Sequence, residues 1–128
     1  MIESNNILLE NSPLISVILP SFNKENEIMK SIRSIQNQSL KNIEIIIIDD
    51  CSLDNITEVI KNYIKEDKRI IYIRHESNDG KIKSRSDGVR MAKGKYITII
   101  DGDDALSNDN ILFKSFTIAN LSNLDVTF

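Results

Sequence analysis

What most limits the fold of this chain is a repeated pairing. A short, almost wholly apolar run is followed by a segment whose apolar residues recur at helical spacing. The runs are residues 14–19 (LISVIL), 43–48 (IEIIII), 70–73 (IIYI) and 96–100 (YITII). Apolar runs this short, rich in β-branched residues, read as strands rather than helices. Between the first two, Ile28, Ile32 and Ile35 stand at i, i+4 and i+7, the stripe of an amphipathic helix. Ile56, Val59, Ile60, Tyr63 and Ile64 share the face of a second helix. Residues 81–92 can form a third, although Gly88 is a poor helix former. Leu112, Phe116 and Ala119 mark a fourth within 106–121. Asn23 and Asp54 are candidate helix caps, and Asn78-Asp79-Gly80 is turn chemistry.

Continuous apolar strands are buried on both faces, which requires helices above and below. The expected class is therefore α/β, a mostly parallel sheet flanked by helices. Residues 1–13 read as a flexible lead-in, 14–128 as one domain, and 126–128, ending at Phe128, as the opening of a fifth strand. In an open sheet of this class, ligands bind at the carboxyl ends of the strands. Two of the four runs end in acid at that edge: Asp49-Asp50 after the second, and Asp101-Gly102-Asp103-Asp104 after the fourth.

Three carboxylates within four residues repel one another, and a divalent cation relieves that repulsion. Hard oxygen ligands suit magnesium or manganese, which complete their shells with phosphate oxygens and water. The plainer alternative makes DGDD an acidic turn capping a helix that starts near Leu106. For Asp49-Asp50 the plainer alternative is one capping aspartate and one facing solvent. Acids at two strand ends of one parallel sheet favour a shared crevice over two separate turns. Arg85, between two glycines, could pair with a phosphate or fix an aspartate. Lys81 and Lys83 could do likewise, but read first as a solvated helix face. Phe22 either stacks on a base or fills the core, and His75 reads as a satisfied or solvent-facing histidine.

Composition narrows the function classes. A net charge of −3, from 16 basic and 19 acidic residues, gives no general pull toward nucleic acid or anionic lipid. The single cysteine, Cys51, precludes an intrachain disulfide and favours a reduced, cytoplasmic setting. No apolar run approaches the roughly 20 residues that span a bilayer. The basic residues form neither a P-loop nor a G-x-G-x-x-G fingerprint.

Taken in order, these pieces resemble the nucleotide-binding half of family 2 glycosyltransferases with the GT-A fold. SVILPSFN is similar to that family's first strand and its P-[ST]-[YF]-N ending. SIRSIQNQSLKNIEIIIIDDCSLDN resembles the helix, the N-Q turn and a strand ending in D-D-x-S-x-D. NDGKIKSRSDGVRMAKGKYITIIDGDD resembles N-x-G-x-x-x-A-R-N-x-G, then the A-x-G-x-Y-I strand and the D-x-D metal motif. The resemblance covers about residues 15–104, and its specificity lies in all the pieces occurring in order at family-like spacing.

The resemblance implies a role for each matching position. Pro20, Ser21 and Phe22 border the nucleobase, and Asp50 accepts a hydrogen bond from it, typically from uracil. Arg85 lies near the diphosphate or braces the acidic motif. Asp101 and Asp103 match D-x-D, and Asp103 or Asp104 holds Mn2+ or Mg2+. The reaction implied is transfer of a sugar from a nucleoside diphosphate sugar, a UDP-sugar, to a hydroxyl of a saccharide or lipid-linked acceptor, with inversion. The family's carboxylate base lies beyond the metal motif. No residue here is nominated for it, and it is expected beyond Phe128. The expectation is a Rossmann-like donor-binding portion, truncated before the acceptor half, with any membrane association arising from parts outside these residues. Cys51 departs from the glycine of D-D-G-S, and Ser84 and Ser86 flank Arg85 where alanine and asparagine are common. Two alternatives stand beside this reading: a non-catalytic nucleotide-binding module and a receiver-type phosphoacceptor domain.

Overall fold

The computed structural model describes residues 2–3 and 12–122. Its elements in chain order are β1 (Ile2–Glu3), β2 (Ile15–Ser21), α1 (Ile28–Gln36), β3 (Ile43–Asp49), α2 (Ile56–Glu66), β4 (Ile70–Arg74), α3 (Lys81–Met91), β5 (Tyr96–Ile99) and α4 (Ile111–Ser122). The five strands form one sheet in the order β1-β5-β2-β3-β4. β5, β2, β3 and β4 run parallel, as the buried runs predict, and β1 pairs antiparallel to β5 at the edge. The strand expected at 126–128 lies outside the described residues, Phe128 included, and so does most of the lead-in expected at 1–13.

The connectivity creates one special position. From β2 the chain steps outward through β3 to β4, then returns to lay β5 on the other side of β2. The order therefore reverses beside β2, and the carboxyl ends of β3, β2 and β5 flank a crevice at the switch point. A receiver-like, flavodoxin-type order would instead place the first parallel strand between the second and third.

Alternation along the strands builds two cores. Ile15, Val17 and Leu19 of β2 join Ile45 and Ile47 of β3 under α1 and α2, where Ile28, Ile32, Ile35, Ile56 and Ile60 are fully buried. Ile18, Ile46 and Ile48 face the opposite way, with Ile97 and Ala92 beside α3. Each such isoleucine contributes about 1.5–3 kcal/mol by leaving water. α3 carries little apolar surface of its own and approaches the sheet through Gly88. A Cβ on Gly88 would stand 2.5 Å from Ile18 Cγ2. The residue that looks like a helix weakness is thus what allows the close approach.

Two boundaries differ from the sequence reading. Asn23 caps no helix: α1 begins at Ile28, and Asn23 turns the chain at φ 53° with its Oδ1 accepting from Leu53 N at 2.7 Å. The fourth helix starts at Ile111 rather than near Leu106, so DGDD does not cap it. Asp54 is not the cap of α2, whose N-cap is Asn55; it accepts from Ile56 N at 3.2 Å in the turn before the helix and from Glu25 N at 3.0 Å.

Candidate functional site

β-ladder hydrogen bonds continue past the strand ends and bring the two acidic edges together. Asp50 N donates to Ser21 O at 2.9 Å, and Gly102 N donates to Pro20 O at 3.0 Å. Ser21 is thereby flanked by Asp50 on one side and the DGDD turn on the other. Gly102 is tightly fitted, since a Cβ there would lie 3.0 Å from Ser21 Oγ and 3.1 Å from Pro20 O. The turn is fastened from below by α1: Ser31 Oγ donates to Gly102 O at 3.1 Å and to Asp104 O. Gln38, just past α1, donates to Asn108 O at 2.7 Å and accepts from Leu112 N, which holds the loop leading to α4.

The adjacent aspartates of β3 do different work. Asp49 is fully buried and accepts from Ser52 N at 2.9 Å, Ser52 Oγ at 2.5 Å, Tyr72 Oη at 2.5 Å and Arg74 at 2.6 Å. It closes the turn after β3 and lines neither of the two hollows that border the acidic edges. Burial first, and the hydrogen bond to Asp49 second, push the Tyr72 hydroxyl up from its ordinary value. The turn passes through Cys51 at φ 62°, the left-handed region that glycine adopts at less cost.

Asp50 points into the crevice. Its Oδ1 is 2.9 Å from His75 Nδ1 and accepts from Asp79 N at 2.8 Å. Its Oδ2 accepts from Gly80 N at 2.9 Å, and a second lone pair remains on that oxygen. Gly80 takes φ 94° to aim its N–H there, at the start of α3. Burial would push the Asp50 carboxyl up, but the His75 ring and the two backbone N–H groups more than offset it, and the net direction is down.

Across the crevice, Asp101, Asp103 and Asp104 bring carboxylate oxygens within 4.8 Å of one another. Arg85 of α3 braces Asp101 at 3.3 Å, and Lys24 reaches Asp103 at 3.3 Å. The Lys24 ammonium is the main cause holding the Asp103 carboxyl below its ordinary value. Between the acidic edges lies a cleft of about 270 Å3 with Ser21, Phe22, Lys24, Asp50, Lys81 and Asp103 among its lining residues. That is near the lower end of small-ligand sites, about 300–1,000 Å3. A second hollow, about 590 Å3, opens on the far side of Asp101 beside Arg85, Asp104 and Leu106.

The donor set fits a hard divalent cation, with three carboxylates and a backbone turn free of side-chain bulk at Gly102. Two buried polar atoms at the clefts, Ser21 Oγ and Arg85 Nε, have no hydrogen-bond partner among the described residues. Orphaned buried polar atoms are rare, and a bound water, ion or ligand is one way their bonding is completed; a third, Tyr63 Oη, lies away from the clefts.

The structure therefore gathers Pro20, Ser21, Phe22, Asp50, Asp101 and Asp103 around one cleft, with Arg85 and Asp104 bordering the hollow beside it. Phe22 belongs to neither core and stands 38% exposed at the cleft. Lys81, which the sequence offers as a phosphate partner only behind a solvated helix face, lines the cleft. Lys24 and the links of His75 to Asp50 and Asp87 were not expected, and nothing in the sequence pairs Lys24 with Asp103.

Comparison with known proteins gives one consistent outcome. The sequence model described as "Glycosyl transferase family 2" matches residues 16–112. A Haemophilus influenzae protein described as an uncharacterized glycosyltransferase is 44% identical over 101 residues, 79% of this chain and 40% of its own length. The Campylobacter jejuni GalNAc(5)-diNAcBac-PP-undecaprenol beta-1,3-glucosyltransferase is 40% identical over 95 residues, 73% of this chain and 31% of its length. Among solved structures, S. aureus TarS 1-349 in complex with UDP-GlcNAc superposes with a TM-score of 0.79 at 25% identity, over 85% of this chain and 32% of that one. The Pyrobaculum calidifontis mannosyltransferase PcManGT, in complex with GDP-Man and Mn2+, shares the fold at 19% identity with a TM-score of 0.78. The chain thus spans well under half the length of these relatives. Among the described residues no helix is long and apolar enough to cross a membrane.

Proposed function

The chain belongs to glycosyl transferase family 2, and from that premise we propose that residues 14–128 form the donor-binding portion of an inverting glycosyltransferase. The donor is a nucleoside diphosphate sugar, specifically a UDP-sugar, and the acceptor is a hydroxyl of a saccharide or lipid-linked saccharide. One observation carries the reading: a hydrogen-bonding carboxylate and an acidic, metal-fitting turn flank an orphaned Ser21 hydroxyl at the switch point of a parallel sheet. The UDP-GlcNAc named with TarS and the lipid-linked glucosyl transfer named for the Campylobacter relative support the donor and acceptor classes.

Each residue then has a physical task. The free lone pair of Asp50 Oδ2 accepts the uracil N–H, and Phe22 offers a face for stacking beside Pro20 and Ser21. Arg85, Lys24 and Lys81 place positive charge near the diphosphate, where negative charge grows as the sugar departs. Asp103 and Asp104 hold Mn2+ or Mg2+, with Asp101 kept in place by Arg85. The cation supplies charge neutralisation at the leaving diphosphate. The base that activates the acceptor hydroxyl, expected beyond Phe128, belongs to the part of the relatives that this chain does not span.

Calorimetric titration of UDP, with and without Mn2+, tests the reading. The expected result is Mn2+-dependent binding that weakens at least tenfold in Asp103→Asn. No binding by a folded sample contradicts a donor site, and binding indifferent to both Mn2+ and the substitution moves the cation elsewhere. Rapid sugar transfer by the isolated 128 residues would contradict the donor-only assignment.

A further inference from the structure

His75 is the chain's one histidine and follows β4. Its side chain is only 8% exposed, and it touches carboxylates through both ring nitrogens. Nδ1 is 2.9 Å from Asp50 Oδ1, and Nε2 is 2.8 Å from Asp87 Oδ2. A neutral imidazole has one N–H and one lone pair, whereas ionised carboxylates only accept. Two carboxylates at hydrogen-bond distance are therefore both satisfied only by the imidazolium. A neutral ring would point a lone pair at one of them.

The other charged neighbours agree with this. Asp79 Oδ2 lies 3.8 Å from Nδ1 and adds further negative charge. The nearby cations, Lys83 and Arg90, bind Asp87 rather than the ring. The hydrogen bond to Asp50, opposed by burial and reinforced by Asp87, raises the His75 pKa above its ordinary value.

The two carboxylates belong to different elements: Asp50 lines the cleft itself, and Asp87 stands on a helix that supplies part of the lining. Asp50 follows β3, while Asp87 is on α3, which also carries Lys81 and Ser84 of the cleft lining and Arg85 on Asp101. We infer that His75, held by Asp87, is a positioning residue for nucleotide binding: its imidazolium ties the Asp50 carboxylate to α3 and so sets the cleft that receives the nucleoside diphosphate. This inference rests on the donor-site reading of the cleft. When the ring loses a proton, one of its two carboxylate links is lost whichever nitrogen keeps its hydrogen. A proton left on Nε2 leaves Asp50 with only its backbone bonds from Asp79 and Gly80, and one left on Nδ1 breaks the link to Asp87 on α3.

The lone histidine makes the test direct, because one imidazole signal in an NMR titration reports its pKa. UDP with Mg2+ is titrated across the pH range in the wild type, Asp87→Asn and His75→Gln. The phosphate of UDP titrates near pH 6, so variants are compared at equal pH. Saturating UDP is expected to raise the His75 pKa in the wild type, each unit corresponding to tenfold weaker binding above the transition than below it. Asp87→Asn satisfies a neutral ring, since its amide donates to Nε2 while Nδ1–H donates to Asp50. That variant is expected to lower the His75 pKa while keeping near wild-type low-pH affinity and flattening the pH dependence. His75→Gln is expected to bind at least tenfold more weakly at low pH, with no histidine step. Identical pH profiles in the wild type and Asp87→Asn, or a His75 pKa unmoved by UDP, would overturn the inference and leave the donor site standing. No UDP binding at any pH by folded protein would defeat the donor-site reading and this inference with it.

Discussion

Asp49→Asn separates the two adjacent aspartates by cost. The substitution keeps shape and turns one acceptor oxygen of a fully buried group into a donor. In the less damaging orientation the amide oxygen keeps Tyr72 and Arg74, and the NH2 takes the place of Oδ1. It then confronts Ser52 N–H, another donor, which loses its acceptor. Ser52 Oγ can turn to accept, but the backbone N–H cannot. An orphaned buried donor costs about 1–3 kcal/mol. Arg74 is 39% exposed along its side chain, so water compensates it and no further loss is assigned to it. For a domain of this size the total lowers Tm by roughly 3–15 °C. Urea denaturation at neutral pH reads the free energy, and UDP titration of the folded variant reads the site. The folded variant should keep its UDP affinity within about threefold, whereas Asp50→Asn should lose about tenfold or more. Stability within about 0.5 kcal/mol of wild type, or equal loss of UDP affinity in both variants, would refute the division of labour.

Gly88→Ala should destabilise by about 1–2 kcal/mol despite a gain in helix propensity, because the added methyl meets Ile18 Cγ2 at 2.5 Å. In the Ile18→Ala background the same change should become neutral or stabilising, and a double-mutant cycle measures the difference. The Asp67 carboxyl is held at about 2 from 3.8, mainly by hydrogen bonds from the Arg69 guanidinium, with burial opposing and the Arg69 N–H and Gln36 assisting. Its folded pKa is depressed, so its stabilisation is present above about pH 4 and lost as pH falls through about 2. Asp67→Asn should therefore cost about 1–2 kcal/mol at pH 7 and little at pH 2 by denaturation. His75 has the opposite sign: its raised folded pKa lends stability that is full below the ordinary histidine value and lost as pH rises through the folded one.

The layout was readable in the sequence because the four parallel strands are nearly unbroken apolar runs and α1 and α2 carry clear apolar stripes. Burial on both faces leaves no other class for IEIIII or LISVIL. The acids stood out as candidate site residues because they end such runs at the carboxyl edge of the sheet, where ligands of this fold class bind. What escaped depends on contacts between residues distant in sequence. Asp49 and Asp50 look alike in the sequence; only the placement of Tyr72, Arg74 and Ser52 around one, and of His75 and Gly80 around the other, tells them apart. The same holds for Gln38, a polar residue after α1 that is buried because it fastens a loop from residues 108–112. Helix starts failed where loop chemistry intervened: Asn23 serves the β3 turn, and 106–110 form a tethered loop.

The central claim is that the carboxyl ends of β2, β3 and β5 hold the nucleoside diphosphate. Backbone amide shift mapping with UDP and Mg2+ tests it most directly. The account predicts saturable shifts at Ser21, Phe22, Asp50, Gly80, Gly102 and Asp103, with Met29, Asn62 and Glu66 of the α1–α2 groove unmoved. Shifts centred on that groove, or none at millimolar UDP in a well-dispersed spectrum, would contradict it.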